Sequence, residues 1–177
     1  MIYNIDENYF VRPLNEGDLE GPYVSWFQDQ AVSQFNSHGK FFKTKNWFKE
    51  YVNSLDSEDK VVWAICDKNS GHIGNISLSN ISFVNRNAEL TIIIGNKDHW
   101  GKSIGFKSSK LIIKHGFNKL NLSRVYLGVA SKNQGMINLA LKLGMKQEGS
   151  RRNHLYLEGA WCDMLEFGLL KDEFNFI

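Results

Sequence analysis

AELTIIIGNKDHWGKSIGFKSSKLIIKHGF, residues 88–117, changes its hydrophobic period once, and that change decides the fold. Glu89-Leu-Thr-Ile-Ile-Ile94 is β-branched and apolar, a strand that Gly95-Asn96 closes. Lys97-Asp98-His99 is a short polar turn, and Trp100-Gly-Lys-Ser-Ile-Gly105 leads into a helical run. In that run Phe106, Ile113, Phe117 and Leu120 follow at spacings of seven, four and three, which is one face of a helix. A strand, a glycine-bearing loop and a helix N-terminus present unpaired backbone N–H groups at the positive end of a helix dipole. That is a place for a phosphate or pyrophosphate. The same pattern also serves as a plain strand-to-helix connection with two turn glycines.

Gly101-Lys102-Ser103 invites comparison with a nucleotide-triphosphatase P-loop, which needs four residues between its first glycine and the Gly-Lys pair. Gly95 and Gly101 are separated by five, and the required position holds Asn96, so the P-loop fails. No GxGxxG run occurs, which removes the dinucleotide fingerprint as well.

At 177 residues the chain is long enough to bury a substantial core as one domain. A net charge of +2, with acids and bases interspersed, argues against nucleic acid as an obligate partner, for which a strongly basic face is expected. No apolar run approaches the roughly 20 residues that span a membrane, so no membrane partner is expected. The start, MIYNIDENYF, has neither a basic end nor an apolar stretch of the signal-peptide kind. Cys66 and Cys162 lie far apart without metal-ligand spacing, and no metal is expected. They read as reduced thiols of a cytoplasmic protein, with a disulfide left open.

Outward from the central stretch, Tyr9-Phe-Val-Arg-Pro13 is a first strand, and Leu19 to Gln30 is expected as a helix with Pro22 in its first turn. Val32 to Phe42 has no clean period and is expected as a loop. Thr44 or Asn46 can cap a helix bearing Trp47, Phe48, Tyr51, Val52 and Leu55 on one side. Val61 to Cys66 and His72 to Ser79 form a hairpin around Asp67–Gly71, and Ser82 to Arg86 turns into the central strand. Arg124 to Ala130 is a strand, and Asn133 opens a helix with Met136, Leu139, Ala140 and Leu143 inward and Gly144 as its stop. Lys146–Ser150, His154–Leu157 and Cys162–Leu170 read as three closing strands, the last two joined at Glu158-Gly159. The whole is a single α+β domain over residues 1–177, a mixed and mostly antiparallel sheet flanked by about four helices.

This order of parts resembles the GNAT superfamily of acyl-CoA-dependent N-acetyltransferases along essentially the whole chain. Trp100-Gly-Lys-Ser-Ile-Gly105 is similar to that family's acetyl-CoA pyrophosphate loop, Q/R/W-x-x-G-x-G/A. Asn133 to Met145 resembles its "N…A…YeKlGF" helix. Leu143 to Gly149, followed by Arg151-Arg152 and Asp163, resembles the branch that includes ribosomal-protein N-terminal acetyltransferases.

The resemblance implies acetyl-CoA as co-substrate and a primary amine as acceptor. Such a transfer needs a held cofactor, a neutral amine, a stabilised oxyanion and a proton for the leaving thiolate. By resemblance, Trp100, Gly101, Lys102, Ser103, Ile104 and Gly105 would hold the pyrophosphate. The central strand would splay from the strand after the helix. The pantetheine arm would then pair with backbone near Ile92, Ile93 and Ile94. Asn133 would bond the pantetheine, which is compatible with its reading as a plain N-cap. Two positions depart from the pattern. Ser103 stands where the loop usually has glycine, and a serine does not reach φ > 0 cheaply. Ala140 stands where many members carry the tyrosine that protonates the thiolate.

Glu89, on the same strand face as Thr91 and Ile93, is the first candidate base, a role the family gives to a glutamate here; a strand-end surface carboxylate is the plain alternative. His154 is the second, since histidine titrates near neutrality, and it lies with Tyr156 in the strand where the acceptor cleft is expected. His38 and Phe35 fall in the irregular segment with which this family shapes the acceptor pocket. His72 and His115 read as structural. Tyr23-Val-Ser-Trp26-Phe-Gln-Asp29, with Asp163…Phe167-Gly-Leu-Leu170, resembles a subgroup acting on amino-sugar nucleotides of surface polysaccharides. The expected acceptor is therefore a small-molecule amine such as a nucleotide-linked amino sugar. A protein N-terminus, a non-catalytic acyl-CoA-binding module and another amine acceptor such as an antibiotic or polyamine are the alternatives, and a homodimer is open.

Overall fold

The computed structural model describes residues 2–36, 40–41 and 43–175. Eight strands form one sheet in the order β1-β2-β3-β4-β5-β6-β8-β7. They are β1 (Tyr3–Asn4), β2 (Tyr9–Pro13), β3 (Val61–Asp67), β4 (Gly71–Ser82), β5 (Asn87–Ile94), β6 (Arg124–Ala130), β7 (Lys146–Leu157) and β8 (Ala160–Leu170). Every neighbouring pair is antiparallel except β5 and β6, whose parallel connection runs through the long helix α4 (Ile104–Lys119). The mixed, mostly antiparallel sheet expected from the period changes is the one observed.

One face of the sheet is closed by α4 and by α5 (Gln134–Lys142), whose Ile112, Ile113, Phe117 and Ala140 pack on Ala88, Leu90, Val125, Leu127 and Phe167. Alternation along β5 and β6 makes this inevitable, because the even residues of β5 and the odd residues of β6 are the apolar ones. The opposite face is closed only over the first half of the sheet. There α1 (Tyr23–Trp26) and α3 (Lys45–Asn53) set Tyr23, Trp26, Phe48 and Val52 over Ala64 and Cys66.

Two expectations are corrected. The helix expected from Leu19 to Gln30 is three short pieces: a 3-10 turn at Glu16–Glu20, α1, and α2 (Gln30–Ser33). Gly21-Pro22 ends the first piece, and Asp29 restarts the last by capping the N–H of Ala31 at 2.9 Å. This break raises the helix count to five among the described residues and takes Val32 and Ser33 out of the expected loop. The strands expected at Lys146–Ser150 and His154–Leu157 are one strand, β7, whose register against β8 slips at Gln147/Gly149 and again at Arg151/Leu155. Bulges absorb the polar residues that interrupt its pattern. Thr44 is the cap of α3, accepting from the Trp47 N–H at 3.2 Å. Cys66 and Cys162 are both buried free thiols in separate apolar clusters.

Candidate active site

Beyond Ile94 the chain turns hard against the sheet. The N–H groups of Gly95 and Asn96 both donate to the Ile73 carbonyl, at 2.9 and 3.0 Å. A side chain at Gly95 is impossible, because its Cβ would lie 1.9 Å from the Trp26 indole. That contact pins α1 to the end of β5. Asn96 caps a 3-10 turn at Lys97–His99, and the Lys97 ammonium reaches Asp29 at 2.6 Å. Trp100 then lays its indole N–H on the Ile94 carbonyl at 2.8 Å and leaves the ring about half exposed, at 46%.

The next residues are the loop proper. Gly101 has φ +75° and Ser103 has φ +60°, ψ 13°, and Ser103 is the N-cap of α4 without a side-chain cap bond. Serine here adopts the left-handed conformation that glycine supplies in the family pattern, so the backbone path is kept at a cost in strain. The first intrahelical bond closes from the Lys107 N–H to the Ser103 carbonyl at 3.0 Å. The N–H groups of Ile104, Gly105 and Phe106 therefore lie outside the helical ladder, at the positive end of a 16-residue helix with no acidic residue in its first turn. Lys102 is exposed on the loop, and Lys142 sits over the Phe106 ring at 4.6 Å. This is a good anion cradle.

Beside the cradle, β5 and β6 part company. They pair at Asn87↔Arg124, Ala88↔Val125 and Glu89↔Tyr126 and no further. Yet β5 continues against β4 to Ile94, and β6 against β8 to Ala130. A wedge-shaped gap opens from Leu90 and Leu127 outward, lined on the β5 side by the half-buried Ile92, Ile93 and Ile94. An extended amide-bearing arm fits such a gap, because alternate backbone groups of β5 have no strand partner there. Asn133 caps α5 with its Oδ1, which accepts from the Met136 N–H at 3.1 Å. The cap occupies only the oxygen, and the amide NH₂ keeps its donor capacity for a ligand. Pyrophosphate loop, gap and Asn133 together fit coenzyme A.

At the apex of the gap, on the face without helices, lies a cavity of about 430 Å³ whose walls include Glu89, Arg124, Tyr126, Glu148, Arg151 and Glu166. Its charges are mostly spent on one another. Arg124 grips Glu148 through both guanidinium nitrogens, and Arg151 bonds Glu166 at 2.5 Å. Glu89 is the exception. Its carboxylate accepts from the Asn80 amide at 2.8 Å, an amide delivered by a bulge in β4 where Asn80 takes φ +52°. Ser79 lies opposite Glu89, and Ser77 bonds Thr91 at 2.6 Å, so a stripe of hydroxyls runs along the same face. Tyr126 is Glu89's registered neighbour on β6. Burial pushes its phenol above the ordinary value, the Glu89 charge adds to the rise, and Arg124 opposes it.

The other candidates are dispersed. Phe35, just after α2, packs with Leu155 on Ala130, Leu157 and Cys162, at the far end of the same open face. Tyr156 is exposed and stacks edge-on with Trp161 at 5.1 Å. His154 is exposed on the edge strand β7, two strands from β6, and does not line the cavity. His38 lies outside the described residues. A second cavity, of about 520 Å³, separates α1 and α2 from the β7–β8 turn, with Phe27, Gln30, Phe41, Lys40, Lys43 and Glu158 in its walls. Glu158 there accepts from Gln30 at 3.0 Å. The expected structural histidines are structural: His72 is buried against Asp18, and His115 packs on Trp63. Tyr126 is the residue that sequence reasoning missed. Alternation along Arg124-Val-Tyr-Leu-Gly-Val puts it on the open face, but its register beside Glu89 is set across the long crossover through α4 and is not written locally.

Residues 9–146 match the sequence family described as an acetyltransferase (GNAT) domain. The spermidine N(1)-acetyltransferase of Escherichia coli K12 is 26% identical over 168 residues, covering 93% of this chain and 87% of that one. Bacillus subtilis YdaF, whose name assigns it provisionally to ribosomal N-acetyltransferases, is 35% identical over 132 residues, 73% of this chain and 68% of its own. The structure also resembles spermidine N-acetyltransferase from Vibrio cholerae, solved with CoA and spermine, with a TM-score of 0.85 at 22% identity over 95% and 98% of the two chains.

Proposed function

The chain belongs to the GNAT acetyltransferase family, and from that premise we propose that it acetylates a small amine bearing an anionic group, such as a nucleotide-linked amino sugar, with Glu89 as base. The class of chemistry is the family's: acetyl transfer from acetyl-CoA to an amine. What the specific reading adds is the acceptor and the residues.

Acetyl-CoA supplies an acetyl group activated as a thioester. The N-terminal N–H groups of α4 and the Lys102 ammonium bind its phosphates. The free edge of β5 from Leu90 to Ile94 orients the arm along the gap, and the Asn133 amide steadies it from α5. The far end of such an arm lies where the strands rejoin, at Glu89 and Tyr126. Glu89 takes the proton of the attacking amine, directly or through a water held by the Ser79 and Thr91 hydroxyls. The observation that carries this role is the state of the neighbouring carboxylates. Glu148 and Glu166 are each paired with an arginine, whereas Glu89 is held by a neutral amide and has no cationic partner among the described residues.

The acceptor reading rests on the charge that remains for a ligand. A polyamine needs uncommitted carboxylates along its length, and the second cavity, at the β7–β8 turn, offers one among the described residues, Glu158, which accepts from Gln30. It also holds Lys40, which donates to the Tyr156 carbonyl, and Lys43, 4.6 Å over the Trp47 ring, beside Phe27 and Phe41. Two cations next to aromatic rings suit phosphate and a stacked base. A protein N-terminus is the second reading, favoured by the 35% identity to YdaF.

Thiol release from acetyl-CoA, measured against amino-sugar nucleotides, N-terminal peptides and polyamines, tests both. Fastest release with a nucleotide-linked amino sugar is the expected result. Release confined to peptides establishes the second reading, and release confined to spermidine or spermine overturns the anionic acceptor.

A further inference from the structure

Ala140 is fully buried in the apolar core between α5 and the sheet, so α5 offers no phenol to the departing sulfur. The open face of β6 does. We propose that Tyr126 protonates the leaving thiolate and recovers its proton from Glu89, so that the two registered neighbours form a closed proton relay. The proposal rests on the reading of Glu89 as base.

Three observations carry it. Position comes first: Glu89↔Tyr126 is the last pair before β5 and β6 diverge, so both side chains stand at the apex where an arm entering from the Trp100–Gly105 loop must end. That apex lies five residues along β5 from Ile94, roughly 17 Å of strand. Orientation is next: Tyr126 and Glu89 share the cavity on the helix-free face, away from the core that holds Ala140. The third is electrostatic coupling. The Glu89 charge and burial together keep the phenol protonated in the resting site. Once Glu89 has accepted the amine's proton it is neutral, and one of the two influences that hold the phenol's proton is gone. The acid is thus weakest before the base has acted and stronger after it.

The bookkeeping of atoms closes. The amine nitrogen forms its bond to the acetyl carbon and passes a proton to the Glu89 carboxylate. The carbon–sulfur bond breaks with its electron pair on sulfur, and the Tyr126 O–H proton moves to that sulfur. The protonated Glu89 then returns its proton to the Tyr126 phenolate across the register pair. Amine and thioester have become amide and thiol, and both side chains are reset.

A hydrogen bond from the phenol to the sulfur can be read without any acceptor, by calorimetric binding of CoA and of desulfo-CoA to three forms of the chain. Wild type is expected to prefer CoA by roughly twofold to tenfold, the worth of one hydrogen bond. Tyr126→Phe removes the preference while binding desulfo-CoA as wild type does, and Glu89→Gln retains it. A preference that survives Tyr126→Phe, or that wild type lacks, overturns the relay and leaves Glu89 as base untouched. Failure of every form to bind either compound overturns the CoA site itself and the relay with it. In turnover, Tyr126→Phe is expected to slow thiol release roughly 100-fold with an unchanged melting temperature. Wild-type turnover in that variant alongside an inactive Glu89→Gln refutes the relay alone.

Discussion

The two halves of the sheet treat a carboxylate in opposite ways. In the half built from β1 to β4, helices cover the face, and the Asp18 carboxylate that the 3-10 turn at Glu16–Glu20 sets against Arg12 of β2 and His72 of β4 is fully engaged. Arg12 bonds it twice, at 2.6 and 2.8 Å, His72 lies 3.2 Å away and the Asn15 N–H donates at 3.0 Å. In the half built from β5 to β8, no helix among the described residues covers Glu89, and the one hydrogen bond described for its carboxylate comes from a neutral amide. One acid holds the N-terminal segment in place; the other is the one proposed above to take a proton. The same chain can do both because one continuous sheet is covered on this face only over its first half. The covered half fixes the walls within which the open half works.

Removing the carboxylates in turn should therefore break different properties. Glu89→Gln is expected to lower acetyl transfer by roughly 10²- to 10⁴-fold, the usual worth of a general base. Stability, read from the thermal midpoint, should change by no more than ordinary surface substitutions do, about 0.5 kcal/mol. A stability loss as large as the activity loss would mean that Glu89 is a structural residue, and the contrast between the halves would collapse. Side-by-side thermal melts and thiol-release rates decide it.

Asp18→Asn should do the reverse. Removing one member of a buried charged group leaves the Arg12 guanidinium without its counter-charge, which costs about 3–5 kcal/mol. Acetyl transfer per folded molecule should be nearly unchanged. The pH dependence gives a second handle. Burial alone would raise the Asp18 carboxyl, but the bonds from Arg12, the contact with His72 and the Asn15 N–H outweigh it and hold the carboxyl far below the usual range. A depressed folded value contributes stability that is present above the unfolded value, about 4, and is lost as pH falls from there toward the folded value. Urea midpoints of wild type should decline across that acid window. Those of Asp18→Asn should start lower at neutral pH and decline less steeply, and parallel declines would show that other carboxylates dominate acid unfolding.

The covered half and the open half were also unequally legible in the sequence. The strand-loop-helix unit could be read because its period switches from two to about 3.6 within a few residues of Gly95. The N-terminal helix was misread because Trp26, Phe27 and Val32 supply apolar positions that outweigh the breaks at Gly21-Pro22 and Asp29, although both breaks are written plainly. Alternation puts Glu89 on the open face, and the family resemblance is what singled it out as the candidate base. Tyr126 was not legible, because pairing across a crossover depends on how far α4 returns the chain along the sheet, which no local pattern records. His154 was attractive for its chemistry. The bulge at Arg151/Leu155 leaves it exposed on the sheet's edge strand instead.

The smallest expected effect sits where the two halves meet, in the loop that feeds α4. Ser103 occupies the left-handed region at φ +60° with no cap bond from its side chain, a strain of roughly 1–2 kcal/mol for a residue with a Cβ. Glycine relieves that strain but frees the unfolded chain, which returns about 0.5–1 kcal/mol. Ser103→Gly should thus stabilise by the difference, about 0.5–1 kcal/mol, and raise the melting temperature by roughly 1–4 °C. Ser103→Val should lower it by more, because a β-branched side chain tolerates this conformation least. CoA affinity separates two uses of the serine. If only the backbone N–H groups of α4 hold the phosphates, Ser103→Gly keeps wild-type affinity and the serine is a tolerated departure from glycine. If affinity falls severalfold while stability rises, the hydroxyl contributes a bond to the phosphate, and the strain at this position is maintained for binding.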